Sequence, residues 1–196
     1  MRKKDGVTFA PATADKWDDL ERLFGDGHPF PGCWCMYWRI KRREFEKSYG
    51  DENRRAFRRI VESGEVPGIL AYLGGEPAGW CAVAPREAFG VLDRSPVLKR
   101  VDSEPVWSIT CFFIPERYRG KGMSEALVGA AVDHVGENGG FIVEAYPLIP
   151  EKSKKPEISA YMGLLSTYLK LGFKEVARRS PMRPVVRYRI DDNNPS

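Results

Sequence analysis

An apolar run that ends at a glycine-rich turn constrains the fold of this chain more than any other feature. Residues 106–114 are apolar or β-branched for most of their length, which predicts a buried central strand. The turn at 117–124 reads Arg-Tyr-Arg-Gly-Lys-Gly-Met-Ser, and apolar side chains then recur at helical spacing between residues 123 and 135. A buried strand that turns into an amphipathic helix indicates an α/β domain with a ligand site at the start of that helix.

The turn has the chemistry of an anion site. Glycines allow the backbone to approach a ligand closely, and the first turn of a helix offers unpaired N–H groups and a partial positive charge. Basic side chains in the turn add charge, so the pattern predicts a pyrophosphate-bearing, nucleotide-like cofactor. The residues that we predict to hold it are Arg117, Arg119, Gly120, Lys121, Gly122, Met123 and Ser124.

The remaining elements are read from periodicity and turn residues. Gly74-Gly75 predicts a hairpin, and Thr13 is a candidate N-cap. Besides the central strand, the predicted strands are 7–10, 68–73, 77–84, 141–146, 176–179 and 185–190. Helices are predicted after Thr13, at 51–63, after the glycine turn and at 159–170. The aromatic stretch at 29–40 is predicted to be irregular. Strand–helix alternation followed by terminal strands predicts one α/β domain with a mixed sheet over residues 1–196.

Composition narrows the functional classes. A net charge of +4 is too small to indicate a nucleic-acid partner. The basic residues at 41–43 and 54–59 are interrupted by acidic ones at 44, 46, 51, 52 and 62, which favours a salt-bridged exposed helix. No apolar stretch approaches membrane-spanning length, so we expect a cytoplasmic protein without a membrane partner. The four cysteines are too sparse for a disulfide framework, and Cys33 and Cys35 have too few neighbouring ligands for zinc. We therefore expect reduced thiols and no metal.

The turn and its surroundings resemble the GNAT N-acetyltransferase superfamily. Arg-x-x-Gly-x-Gly after a strand is similar to that family's acetyl-CoA signature, and Phe112, Phe113 and Ile114 precede it as the family's central strand does. Tyr168, followed by Gly172-Phe173, looks like the family's Tyr-x-x-x-Gly-Phe ending. The resemblance covers residues 70–176 and implies a GNAT-like α/β fold, with a mixed, mostly antiparallel central sheet flanked by helices.

The resemblance also implies a reaction. Backbone groups of Phe112, Phe113 and Ile114 would pair with the pantetheine arm of acetyl-CoA, and an amine would attack the thioester directly, without a metal. Tyr168 matches the family's acid that protonates the leaving thiolate, although a tyrosine packed on the core fits its helical register equally well. For the base the sequence offers Glu104 and Glu144, of which we prefer Glu144; a salt-bridged glutamate or a water chain are the alternatives.

The acceptor side is predicted from the aromatic-rich region at about residues 25–66. Trp34, Tyr37 and Trp38 either complete a core or wall an acceptor pocket. An enclosed aromatic wall favours a small-molecule amine, with a protein amine as the alternative acceptor. A catalytically silent acyl-CoA-binding module is the rival from another class, and a homodimer is compatible with the sequence. Neither His28 nor His134 carries a recognisable nucleophile motif.

Overall fold

The computed structural model describes residues 6–25, 28–150 and 161–190. Seven strands and five helices lie along these residues, joined by turns and four short 3₁₀ segments. In chain order they are β1 Val7–Pro11, α1 Trp17–Gly25, α2 Arg42–Lys47, α3 Asp51–Glu62, β2 Gly68–Leu73, β3 Glu76–Pro85, β4 Trp107–Phe113, α4 Met123–Glu137, β5 Ile142–Ala145, α5 Leu165–Lys170, β6 Lys174–Arg178 and β7 Pro184–Arg189.

The strands form one mixed, mostly antiparallel sheet in the order β1-β2-β3-β4-β5-β7-β6. Its parallel pair is β4 with β5, and this pairing covers only residues 107–109 against residues 143–145. Pairing between β4 and β3 continues to Phe113, so the C-terminal half of β4 extends beyond its registered contact with β5. Strands β4 and β5 therefore separate beyond residues 109 and 145, and the functional site lies where they separate.

Helices cover both faces of the sheet, and alternate side chains of β3 point to opposite faces. Cys81 and Val83 join the core beneath α4, where Leu127 is fully buried. Trp80 and Ala82 join the second core, beneath α1 and α3, where Phe24 and Phe57 meet the Trp80 ring edge to face. This alternation is the period of two that a strand imposes, and it fixes which side chains each helix meets.

The locally determined elements agree with prediction. Strand β2 has the predicted bounds, β4 is one residue shorter than predicted at each end, and α3 is one residue shorter at its C-terminal end. Arg58 donates to Glu62 at 2.7 Å on the exposed face of α3, as a salt-bridged helix requires. No helix in the described part of the chain is long and apolar enough to span a bilayer.

Two local predictions were wrong, and one short helix was missed. The helix predicted at 159–170 begins only at Leu165, because Gly163 has φ +81° and Leu164 is extended; residues 159 and 160 lie outside the described residues. Thr13 precedes a 3₁₀ turn and gives no side-chain cap, because its hydroxyl donates instead to Asp15 Oδ1 at 2.6 Å. Helix α2 was not predicted, because its six residues contain a single buried apolar side chain, Phe45.

Candidate active site

A cavity of about 720 Å³ lies along the C-terminal half of β4. Residues of the glycine turn and of the start of α4 line one part of it, and residues of the aromatic N-terminal region line another. Its lining residues are His28, Pro29, Phe30, Cys33, Cys35, Tyr37, Trp38, Phe45, Tyr49, Cys111, Phe112, Phe113, Ile114, Arg119, Gly120, Gly122, Met123, Ser124, Glu125, Tyr161, Gly163, Leu164 and Thr167. The sequence-predicted cofactor turn and part of the predicted acceptor wall thus share one cavity.

The glycine turn has the geometry of an anion cradle. Gly120 and Gly122 adopt φ +74° and +70°, and Gly122 is the left-handed N-cap of α4. A Cβ placed on Gly120 would meet no atom within 4 Å, so open space surrounds the backbone there. The amide of Ala126 donates to the Gly122 carbonyl at 3.1 Å, so the helical hydrogen bonds of α4 begin there, and the amides of Met123 and Ser124 precede them in the first turn. These amides and the helix dipole suit a pyrophosphate.

The three predicted basic residues of the turn have different positions. Arg119 lines the cavity, and its Nε donates to the Ile114 carbonyl at 2.9 Å, which ties the turn to the end of β4. Arg117 does not line the cavity; its guanidinium lies over the Tyr118 ring, 4.9 Å from the centroid. Lys121 is exposed and also outside the lining. Only Arg119 of the three is therefore placed at the cavity wall.

Strand β4 supplies the floor of the cavity. Its register with β3 passes from Ala82 opposite Cys111 to Val83 opposite Ile109, so Thr110 is the extra residue of a β-bulge. The amide of Phe112 donates to the Tyr161 carbonyl at 2.6 Å. Pairing of this amide with a pantetheine arm, as the sequence predicts, thus requires exchange of that bond.

Tyr168 lies behind the cavity wall. Its side chain is fully buried, and its hydroxyl donates to the Met162 carbonyl at 3.1 Å. Burial raises the pKa of Tyr168 well above its usual value. A Cβ on Gly163, which does line the cavity, would lie 2.9 Å from the Tyr168 ring and 3.3 Å from its hydroxyl oxygen, so one glycine separates the ring from the cavity. The role of Tyr168 as acid stays a prediction, and it requires that hydroxyl to change partner.

The position of Glu144 does not fit the predicted base. Glu144 is 1% exposed and outside the cavity lining, because its position on β5 faces Ser108, near the start of β4. Arg86 Nη1 donates to its Oε1 at 2.7 Å, and Arg187 Nε donates to its Oε2 at 2.8 Å. With both oxygens held by guanidinium groups, Glu144 acts as the centre of a buried ion network. The other candidate, Glu104, pairs with Arg187 and Arg189 at the rim of this network.

The aromatic region is divided between cavity and core. Tyr37 and Trp38 line the cavity, as predicted for the acceptor side. Trp34 does not, since its ring stacks on Trp17 at 5.8 Å and packs in the core beneath α1 and α3. Sequence reasoning missed Tyr161 and Tyr49, which reach the cavity through tertiary contacts that no local pattern encodes.

His28 is also in the lining, although the sequence gave it no role. Its Nδ1 accepts the Phe30 amide at 3.0 Å, and its ring lies 4.3 Å from that of Phe113. Burial lowers the pKa of His28 to about 4, so the ring is neutral near pH 7.

Three thiols meet at the acceptor side of the cavity. Cys33, Cys35 and Cys111 all line it, and all four cysteines of the chain are free. Trp34 and Cys35 have φ +45° and +52°, the two non-glycine residues with left-handed backbone in the described chain. The Trp80 indole donates to Cys35 Sγ at 3.0 Å. These thiols are not placed to share a metal ion, and among the described residues no group of three or more His, Cys, Asp or Glu side chains is.

The comparisons with known proteins define the class. The model of the acetyltransferase (GNAT) family matches residues 34–148, more than half of the chain, and the chain belongs to this family. Its members use acetyl-CoA as the acetyl donor, which agrees with the anion cradle at the start of α4. No curated protein sequence matches the chain.

Solved structures place the fold in the same group. A GNAT-family acetyltransferase from Listeria monocytogenes superposes with a TM-score of 0.59 at 10% identity, over 94% of this chain and 95% of that one. The PaiA N-acetyltransferase of Thermoplasma acidophilum, solved with coenzyme A, gives 0.53 at 10% identity, over 94% and 99%. The NatC complex bound to a Gag peptide and CoA gives 0.52 at 11% identity, over 94% and 99%. At these identities the likeness establishes the fold.

Proposed function

We propose that this acetyltransferase transfers the acetyl group of acetyl-CoA directly to the primary amine of a small molecule with an apolar body. The observation that carries the proposal is the single cavity of about 720 Å³ that joins the anion cradle of α4 to an aromatic pocket. Cavities of this size bury most of a small ligand, whereas a protein chain requires an open groove.

The chemistry of the pocket supports an apolar acceptor. Tyr37, Trp38, Phe45 and Phe113 supply aromatic surface, and the one carboxylate of the described lining, Glu125, lies at the cradle end in α4. Glu125 is bound there by Lys170 at 2.9 Å. A dicationic amine would find no acidic partner among the described residues of the acceptor side, so a monoamine with an aromatic or aliphatic body fits best.

In this reaction the protein holds acetyl-CoA in position and supplies a proton to the leaving group. Arg119 and the amides of Met123 and Ser124 hold the pyrophosphate, and β4 presents a backbone edge to the pantetheine arm. Tyr168 supplies the proton for the leaving thiolate if its hydroxyl turns from Met162 toward the cavity.

Calorimetry with acetyl-CoA tests the cofactor site. We expect wild-type protein to bind and Gly120→Glu to lose binding, because the new carboxylate enters the cradle and repels the pyrophosphate. Gly139→Glu is the matched control, since Gly139 has the same φ of +74°, is also exposed with open space around it and lies outside the cavity lining. Equal binding by wild type and Gly120→Glu refutes the site.

An acceptor screen tests the substrate class. Release of the CoA thiol is measured with monoamines of increasing apolar size, with diamines and with peptides bearing a free N-terminus. We expect kcat/KM to rise with apolar size among monoamines. Faster turnover of peptides indicates a protein acceptor, and acetyl-CoA binding without turnover of any amine indicates a silent acyl-CoA-binding module.

A further inference from the structure

No residue of the active site is yet assigned as the general base. Direct transfer to an amine releases a proton from the attacking nitrogen, and a positioned side chain usually accepts it. Glu144 lies outside the cavity lining, and Glu125 is at the cradle end, bound by Lys170. The acceptor side therefore has no carboxylate among the described lining residues.

The other titratable groups of the acceptor side are poorly suited. Burial lowers the pKa of His28 to about 4, and its Nδ1 already accepts the Phe30 amide. Burial raises the pKa of Tyr161 to about 12 and that of Cys33 to about 12. At working pH the His28 ring is too weak a base to hold a proton, and Tyr161 and Cys33 are almost never deprotonated. None of the three is therefore an effective general base.

Cys35 differs from these groups in its backbone. Trp34 and Cys35 both have left-handed φ, which costs about 1–2 kcal/mol for each non-glycine residue. Turn hydrogen bonds hold the segment, among them Met36 N to the Cys33 carbonyl at 3.0 Å. Strain of this kind persists where surrounding structure over-determines it, and it concentrates at functional sites. Here it places a thiol in the cavity wall, close to Cys111 of β4.

Groups that donate a hydrogen bond or carry positive charge surround the Cys35 sulfur. The Trp80 indole N–H, fully buried, points at Sγ from 3.0 Å, and the Cys111 thiol, whose own hydrogen bond goes to the Phe112 carbonyl at 3.8 Å, is a neighbour in the cavity wall. Arg39 adds positive charge; its Nη1 pairs with Glu65 Oε1 at 3.0 Å, and its Nε and Nη2 are buried without a hydrogen-bond partner among the described residues. The indole donor and the guanidinium favour an anion at this position.

These contacts have the expected effect on protonation. The neighbouring Cys111 thiol and the Trp80 indole hold the pKa of the Cys35 thiol below its usual value, although burial acts in the opposite direction. The nearby Cys35 sulfur and burial raise the pKa of Cys111, and burial raises the pKa of Cys81 and of Cys33. Cys35 is thus the one cysteine of the four whose pKa is lowered.

We infer that the Cys35 thiolate is the general base of the proposed acetyl transfer. The acceptor nitrogen forms a bond to the acetyl carbonyl carbon and gives its proton to Cys35 Sγ. The bond between that carbon and the CoA sulfur then breaks, and the leaving thiolate takes one proton, for which Tyr168 is the predicted donor. When the products leave, Cys35 gives its proton to solvent and Tyr168 regains one from solvent, so atoms and charge balance. The inference rests on the proposed function.

Kinetics of Cys35 variants test the role. We expect Cys35→Ser to lower kcat about 100-fold with little change in KM for acetyl-CoA, and to remove the acid limb of the kcat/KM profile that reports the base. Cys35→Asp tolerates the left-handed backbone and restores a base, so we expect partial recovery with the limb shifted to lower pH. Cys81→Ala, in the core beneath α4 and outside the cavity lining, is the control and keeps wild-type kcat.

Alkylation of wild-type protein gives a readout that survives if a variant fails to fold. Iodoacetamide labelling is followed by mass spectrometry across pH, because only the thiolate reacts. We expect Cys35 to label at lower pH than an ordinary thiol, with loss of activity that tracks the labelling. Labelling of Cys35 with an ordinary or raised midpoint overturns the inference.

The two proposals fail in different ways. If wild-type protein acetylates amines and Cys35→Ser keeps its rate and pH profile, the base assignment is wrong and the proposed function stands. If wild-type protein binds acetyl-CoA and acetylates no amine, the proposed function and the base role both fall.

Discussion

Replacing Glu144 with glutamine distinguishes a buried structural carboxylate from a catalytic base. The substitution leaves Arg86 and Arg187 buried with one negative charge fewer between them. Removing one partner of a buried ion pair typically costs about 3–5 kcal/mol, because a charge remains without compensation in a low dielectric. At about 2–4 °C per kcal/mol for a domain of this size, Glu144→Gln should lower Tm by roughly 6–20 °C. Glutamine still accepts one hydrogen bond, so we expect the lower half of this range.

The measurement combines calorimetric unfolding with kcat determined well below the lowered Tm. Glu104→Gln is the matched control, since Glu104 binds Arg187 and Arg189 from a position that is 41% exposed, where such pairs contribute about 0.2–1 kcal/mol. We expect Glu104→Gln to move Tm by a few degrees at most, and both variants to keep kcat within a few-fold of wild type. An unchanged Tm together with a 100-fold loss of kcat in Glu144→Gln would refute the reasoning and restore Glu144 as the base.

Three further predictions follow from hydrogen bonds and burial at the cavity. Tyr168→Phe should lower kcat about 100-fold if the hydroxyl is the acid, with a stability loss of about 1–3 kcal/mol for the Met162 carbonyl left unpaired; unchanged kcat in a steady-state assay assigns the proton to water. Trp80→Phe removes a donor to Cys35, so the acid limb of kcat/KM and the alkylation midpoint should both move to higher pH; no shift contradicts the donor role. His28 should titrate near pH 4 by NMR, and its contribution to the free energy of unfolding should decline as pH falls from about 6.5 toward 4, because the unfolded chain binds the proton first; a midpoint near 6.5 contradicts its burial.

Local sequence chemistry was sufficient to predict the backbone of the glycine turn, although only Arg119 of its three basic residues lines the cavity. The glycine hairpin, the apolar run of β4 and the glycine turn each encode their conformation within a few residues, and all three occur where the sequence indicates. Gly120 and Gly122 have the left-handed backbone that their spacing suggests. The family match at 34–148 confirms the recognition that these motifs carried.

The acceptor end was less predictable, because tertiary packing determines it. Trp34 and Tyr37 are three residues apart in one aromatic stretch, yet one stacks on Trp17 in the core and the other faces the cavity. The environment of Cys35 depends on Trp80 and Cys111, which are distant in sequence. The position of Glu144 was misjudged for a related reason. A glutamate on a strand signals neither which end of the strand faces the cavity nor which arginines surround it.

The short parallel contact between β4 and β5 divides the sheet into two halves that follow one another along the chain. Strands β1 to β4 form one antiparallel half, β5 to β7 form the other, and three residues of each strand join them at residues 107–109 and 143–145. A ligand bound along the part of β4 that does not pair with β5 would contact both halves of the sheet and hold them together. The two halves are therefore candidate foldons, that is, units that open separately in hydrogen exchange. Binding of acetyl-CoA should slow amide hydrogen exchange most at the residues that join the halves.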